Sequence, residues 1–162
     1  MPPLSDKELG NMLLNLKSKK TCNIVDACYS SGFTDKAIYN LPEFFLLKSG
    51  IAKPGRVIIS GTSKFRLGYA ITTLGPIFSL IWFDALKTVY ADGFKPGFLH
   101  MGRPTISSMF RDGKTSVEEA FYYTCYVLRN VRSLVNFKMM EPQMNDQYPG
   151  QGPLKSMGGM LL

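Results

Sequence analysis

A short apolar run that stops dead at a cysteine constrains this chain more than any other stretch of it. From Thr21 to Ala27 the residues read as a strand whose core, Cys22 to Val25, is apolar apart from Asn23. The run ends at Cys28, and Tyr29, Ser30, Ser31 and Gly32 follow, most of them small and turn-permissive. In α/β folds, reactive groups and ligands collect at the carboxyl ends of strands. The pattern therefore points to a layered α/β domain that presents Cys28 from the tip of a central strand.

The flanking segments fit that frame. Ser5 and Glu8 have capping-box spacing, and Leu9, Met12, Leu13 and Leu16 follow at i, i+3, i+4, i+7, predicting an amphipathic first helix closed by Lys17 to Lys20. Phe44, Phe45, Leu46 and Leu47 are expected to cover the sheet. Arg56 to Ser60 predicts a second strand through the β-branched run Val57, Ile58, Ile59. Pro76 opens a helix through Val89. Ala91 to Thr105 reads as an excursion loop rich in glycine and proline, and Asp112–Gly113 as a turn. Ser116 and Glu119 cap a last long helix with Val117, Ala120, Phe121, Thr124, Cys125 and Leu128 on one face. Strands alternating with helices imply a parallel sheet. One domain over 1–146 and an extended tail over 147–162, rich in glycine and proline from Glu141 onward, account for all 162 residues.

Composition narrows the function classes. Hydrophobic residues at 45% and charged residues at 19% suit a packed domain. The net charge of +7 raises the question of nucleic acid. Only Lys17, Lys19 and Lys20 cluster, with no aromatic residues interleaved for stacking bases, so a solvated helix end is expected and no nucleic-acid partner. Leu67 to Phe83 carries Arg66 and Asp84 at its borders and no charge within. It is short for a span of about 20 apolar residues and is interrupted by Gly75–Pro76, so no membrane partner is expected. The cysteines, Cys22, Cys28 and Cys125, lack CxxC spacing, and with the single histidine His100 they make no familiar zinc set. Neither metal nor cofactor is expected. Scattered thiols in odd number point to a reducing compartment, the cytoplasm. Asp112, Glu118 and Glu119 lack the alternating oxygen ligands of a calcium loop. Cys22 and Cys125 read as core thiols.

The stretch Ile24-Val25-Asp26-Ala27-Cys28-Tyr29-Ser30-Ser31-Gly32-Phe33 resembles the nucleophile motif of caspase-like cysteine peptidases, above all the prokaryotic members related to metacaspases and legumains. It departs at Ser31, where glycine is usual. The likeness continues in the same order: the strand Arg56 to Gly61, the helix opening Gly75-Pro76-Ile77-Phe78, the stretch Asp112 to Phe121, and Pro142-Gln143-Met144 followed by Asp146. It covers most of Leu9 to Asp146.

The resemblance implies a caspase-like parallel-sheet sandwich with flanking helices and cysteine-type endopeptidase activity on a peptide or protein substrate. Cys28 is then the nucleophile, whose thiolate attacks the peptide carbonyl to give a thioester that water hydrolyses. Its backbone N–H forms part of the oxyanion hole. Asp26 and Ser60 fall in the substrate-binding set, with Asp26 favouring Arg or Lys before the cut; Asp26 equally fits a turn cap. The family's general-base histidine precedes the cysteine on the neighbouring strand. His100 comes after Cys28, in the wrong order, so the histidine strand and two further strands are expected to lie before Met1. The chain then represents a fragment partnered by an amino-terminal half that supplies the histidine. The alternative is a catalytically inactive binding or scaffold module on the same fold.

Overall fold

A computed structural model describes residues 4–34, 51–96, 104–130, 140–148 and 159–162. In chain order the elements are α1 (Asp6–Met12), β1 (Thr21–Val25), β2 (Arg56–Ser60), β3 (Ala70–Ile71), β4 (Gly75–Pro76), α2 (Ile77–Lys87), β5 (Phe94–Lys95), β6 (Thr105–Ile106), α3 (Val117–Asn130) and β7 (Gln143–Asp146). The architecture is mixed α/β.

The main sheet has the order β1-β2-β7. β1 runs parallel to β2 with Thr21 opposite Arg56 and Val25 opposite Ser60, and β7 runs antiparallel on the other side of β2. Two expectations change here. The sheet is mixed rather than wholly parallel, and β2, not the strand leading to Cys28, holds the middle. Burial explains the second: all five residues of β2 are buried, whereas all five of β1 are half-buried. The unbroken β-branched run suits a strand covered on both faces, and Asn23 and Thr21 do not.

Side chains alternate across the sheet, so Val57 and Ile59 face one layer and Ile58 the other. Cys22 and Ile24, in register with Val57 and Ile59, share that layer. Against it lie Phe78, Trp82 and Ala85 of α2 and Val117, Ala120, Phe121, Cys125 and Leu128 of α3, with the Phe78 and Phe121 rings 6.2 Å apart. Every residue expected on the buried face of the last helix is buried. Its capping box is formed: Ser116 N–H donates to Glu119 at 2.8 Å and Glu119 N–H to Ser116 Oγ at 3.2 Å. The other oxygen of Glu119 accepts from Gly93 N–H, and burial pushes this carboxyl above its ordinary pKa.

Other expectations shift. Ser5 and Glu8 do cap α1, but the helix stops at Met12 with Leu13 as its C-cap. Lys17, Lys19 and Lys20 are exposed beyond it, and so are Met12, Leu14 and Leu16. Seven residues make about two turns, too short to hold together without packing. Pro76 is the N-cap of α2 rather than its first turn, and the helix ends at Lys87. The uncharged stretch from Leu67 to Phe83 divides into the β3–β4 hairpin and half of α2; among the described residues no helix is long and apolar enough to cross a membrane. The excursion from Ala91 to Thr105 contains a further hairpin, Phe94–Lys95 against Thr105–Ile106. The Asp112–Gly113 turn is held by buried Asp92, whose carboxylate accepts both backbone N–H groups at 3.1 and 3.0 Å. At the far end Met160 is fully buried in the main core, and its carbonyl accepts from Val117 N–H at 2.9 Å. The segment Phe44 to Leu47, His100 and residues 149–158 lie outside the described residues.

Candidate active site

β1 and β2 finish level, with Val25 opposite Ser60, and Gly61 N–H closing the ladder onto the Val25 carbonyl at 3.0 Å. Beyond that last rung the chain must turn, because Ser30–Thr34 forms a 3-10 helix tucked against β2 and β7. The turn is made at Tyr29, whose φ is +58°. A bulky residue in the left-handed region is strained by about 1–2 kcal/mol and persists only where the surroundings hold it. Tyr29 N–H donates to the Arg66 carbonyl at 3.0 Å, and Ser30 N–H to Thr62 Oγ1 at 3.2 Å. The reversal leaves Ala27, Cys28 and Tyr29 exposed, with Ser30 and Ser31 buried immediately after.

Cys28 therefore stands at an elbow between β1 and the 3-10 helix, and the residue is exposed. Gly68 N–H points at Sγ from 3.3 Å, and the Gly68 carbonyl is 3.8 Å away. Among the described residues the N–H of Cys28 donates to no group. A nucleophilic thiol needs access, a donor that welcomes charge on sulfur, and an N–H free to meet an oxyanion. Cys28 is exposed, Gly68 supplies the donor, and the Cys28 N–H has no acceptor among the described residues. On the segment that carries Gly68, Phe65, Arg66, Leu67 and Tyr69 line an open depression of about 170 Å³, and Arg66 pairs with Glu141 at 3.2 Å. Phe65 and Leu67 are more than half exposed.

Asp26 is placed by a different need. α2 begins at Pro76, which offers no side-chain cap. Asp26 Oδ2 supplies it from the end of β1, accepting Ser79 N–H at 2.9 Å and Ser79 Oγ–H at 2.7 Å. A carboxylate at the positive end of a helix is favourable for the same reason as an ordinary N-cap. Of the two roles read for Asp26, capping is the one these contacts supply, though for a helix distant in sequence rather than for its own turn. Gly61 makes the fit possible: a Cβ there would lie 2.2 Å from Asp26 Oδ1 and 3.3 Å from Asp26 Cα. Asp26→Ala is expected to cost about 0.5–2 kcal/mol in urea unfolding, as for a lost cap. Gly61→Ala is expected to cost about 1–3 kcal/mol, as for overpacking, by displacing the same carboxylate. Since both act on one contact, Gly61→Ala should cost less in the Asp26→Ala background than alone. Strict additivity would show that Gly61 has nothing to do with Asp26.

Ser60, expected to touch substrate, is fully buried. Its hydroxyl donates to the Thr62 carbonyl and lies 2.9 Å from Ser30 Oγ. It can act on the site only through the turn, because the β2 position it occupies is covered on both faces. Cys125 is 2% exposed in the core. Cys22 is half-buried; burial, reinforced by the charges of Glu118 and Asp146, pushes its thiol pKa up to about 12. Among the described residues no group of three His, Cys, Asp or Glu side chains is placed to hold a metal ion. The residues that sequence reasoning missed are Tyr29, Thr62, Gly68 and Ser79. Tyr29 stood inside the motif, but its backbone angle has no signature in a tyrosine. Thr62, Gly68 and Ser79 lie 34 to 51 residues from Cys28 in a chain whose spacing announces none of them.

Comparison with protein-family models, with curated proteins and with solved structures returned no match.

Proposed function

We propose that this chain carries the nucleophile of a caspase-like cysteine peptidase, with Cys28 attacking the scissile carbonyl and the general-base histidine coming from a partner strand. The observation that carries this reading is the elbow: an exposed cysteine three residues past a strand, its sulfur met by the Gly68 N–H at 3.3 Å, inside the motif Asp26-Ala27-Cys28-Tyr29-Ser30. Two features of the sheet agree with it. In the parallel pair β1–β2 the cysteine follows the first strand by three residues, and the outer edge of β1 has no strand against it among the described residues. An unpaired edge beside half-buried side chains is where a further strand adds. There a parallel neighbour, about 4.8 Å away, ends level with Asp26 and Cys28.

In the mechanism, the histidine of that strand takes the proton from Cys28 Sγ, and sulfur adds to the peptide carbon. The Cys28 N–H holds the oxygen as charge develops on it. The proton passes to the leaving amine, and water then hydrolyses the thioester. Arg or Lys before the cut is the preference implied by an acid at Asp26.

A peptidyl chloromethyl ketone ending in arginine tests the reading. It alkylates Cys28 and leaves the Cys28→Ala variant unmodified at Cys22 and Cys125, as read by mass spectrometry. With the histidine-bearing half docked, equal capture of all three thiols, or of none while iodoacetamide still reacts, ends the peptidase reading. Better capture by the asparagine analogue overturns the basic preference alone.

A further inference from the structure

Three buried hydroxyls lie directly under the Cys28 elbow, and no expectation from the sequence used them as a unit. Thr62 and Ser60 are fully buried and Ser30 is 2% exposed. Their protons can be assigned by counting, since each hydroxyl has one to give. Ser60 gives its proton to the Thr62 carbonyl, and Thr62 gives its own to the Ala27 carbonyl at 2.8 Å. That leaves Ser30 to donate, either to Ser60 Oγ at 2.9 Å or to Thr62 Oγ1 at 3.2 Å. Thr62 Oγ1 also accepts Ser30 N–H at 3.2 Å.

One oxygen thus grips the backbone on both sides of the Cys28–Tyr29 step: the carbonyl just before it and the N–H just after it. The side chain's other branch is used as well. A Cβ built on Gly68 would meet Thr62 Cγ2 at 3.6 Å and Cys28 N at 3.4 Å, so the methyl borders the space beside the glycine whose N–H faces the sulfur. The strained φ of Tyr29 needs such restraint, because nothing local to a tyrosine favours it.

We propose that Thr62 is a positioning residue for the Cys28 nucleophile: its hydroxyl braces the elbow and its methyl seats Gly68 against the sulfur. The proposal rests on the peptidase reading for its functional meaning, but its structural content stands apart from it. Thr62 touches neither substrate nor the reacting sulfur. It acts by holding the carbonyl and N–H between which Cys28 is presented.

The test compares Thr62→Val, Thr62→Ser and Ser30→Ala in the full chain, with Thr62→Ala in place of the valine variant should that one not fold. Amide hydrogen exchange reads the brace directly. Thr62→Val is expected to lower protection of the Ser30 N–H about tenfold, as for one lost hydrogen bond, while β2 amides keep theirs. Thr62→Ser and Ser30→Ala, which retain both backbone contacts, are expected to stay within about twofold. Unchanged protection in Thr62→Val overturns the proposal whatever the peptidyl reagent does. Kinetics then read the function. With the arginyl chloromethyl ketone, Thr62→Val is expected to lower the maximal inactivation rate about tenfold with half-saturation unchanged and Thr62→Ser to restore it. Iodoacetamide, which needs no oriented carbonyl, should react at the same rate in all of them. Lost protection with undiminished inactivation would show a merely structural brace and overturn the positioning role. A wild-type chain that stays unreactive with the histidine-bearing half docked would instead sink the peptidase reading and leave the exchange result to judge the brace.

Discussion

Peptide hydrolysis by this chain is expected to rise by about 10²–10⁴-fold when the histidine-bearing half of a caspase-like peptidase is docked along the outer edge of β1, the gain a positioned general base contributes. Cys28 has access and a donor at its sulfur, but no histidine precedes it, and the single His100 follows it by 72 residues. A strand lying parallel to β1 would run about 4.8 Å from it, and a histidine at its end near Asp26 is expected to come within reach of the sulfur. Three chains should be assayed with the added half: wild type, Cys28→Ala, and wild type with the histidine of the partner changed to alanine. Activity confined to the first is the expected result. Docking, measured independently, without any gain in hydrolysis would sink the dyad. A gain that survives Cys28→Ala would sink Cys28 as nucleophile.

At pH 8, iodoacetamide is expected to modify Cys28 about 10³-fold faster than Cys22, and Cys125 only as the fold opens. The argument runs through the thiolate, which is the reacting form. Cys22, half-buried and with its pKa pushed up to about 12, holds about 10⁻⁴ of its thiol ionised at that pH, whereas Cys28 is exposed to the reagent. Cys125 is 2% exposed among α2 and α3 side chains. In urea the three rates should converge. The same shift carries a stability statement. The folded pKa of Cys22 lies above the unfolded value near 9, so the folded state holds that proton more tightly. Its contribution is fully present below pH 9 and is lost as pH rises from there towards 12. A chain in which Cys22 reacts as fast as Cys28 in native buffer would remove the distinction between a presented thiol and a core thiol.

Helix α3 was legible nearly residue by residue. Ser116 and Glu119 mark a cap by local spacing, and the buried face from Val117 to Leu128 follows the 3.6-residue period. β2 was legible because a strand buried on both faces must be apolar throughout. β7 was not. Gln143, Met144, Asn145 and Asp146 are all buried, yet three of the four are polar. Asn145 can be buried because its Nδ2 donates to the Thr34 carbonyl at 3.0 Å, a partner 111 residues away. Likewise α1 carries a clear apolar repeat, but Met12 and Leu16 stay exposed, since periodicity reports what a helix could bury and not whether a surface exists to receive it.

The same division runs through the site. From the chain alone, the strand that starts at Thr21, the turn around Cys28 and the cap of α3 are determined, because each depends on residues within a few positions of one another; the strand ends at Val25 rather than running on to Ala27. The tertiary structure alone decided that β1 takes the edge and β2 the centre, that Asp26 serves the start of α2, and that Thr62 and Gly68 hold the cysteine's turn. The last two choices rest on contacts 35 to 53 residues apart, and the first on β7 pairing with β2 from still further along the chain. A hydrogen bond between distant residues leaves no spacing in the sequence, since the chain's path through the intervening loop sets which donor meets which acceptor.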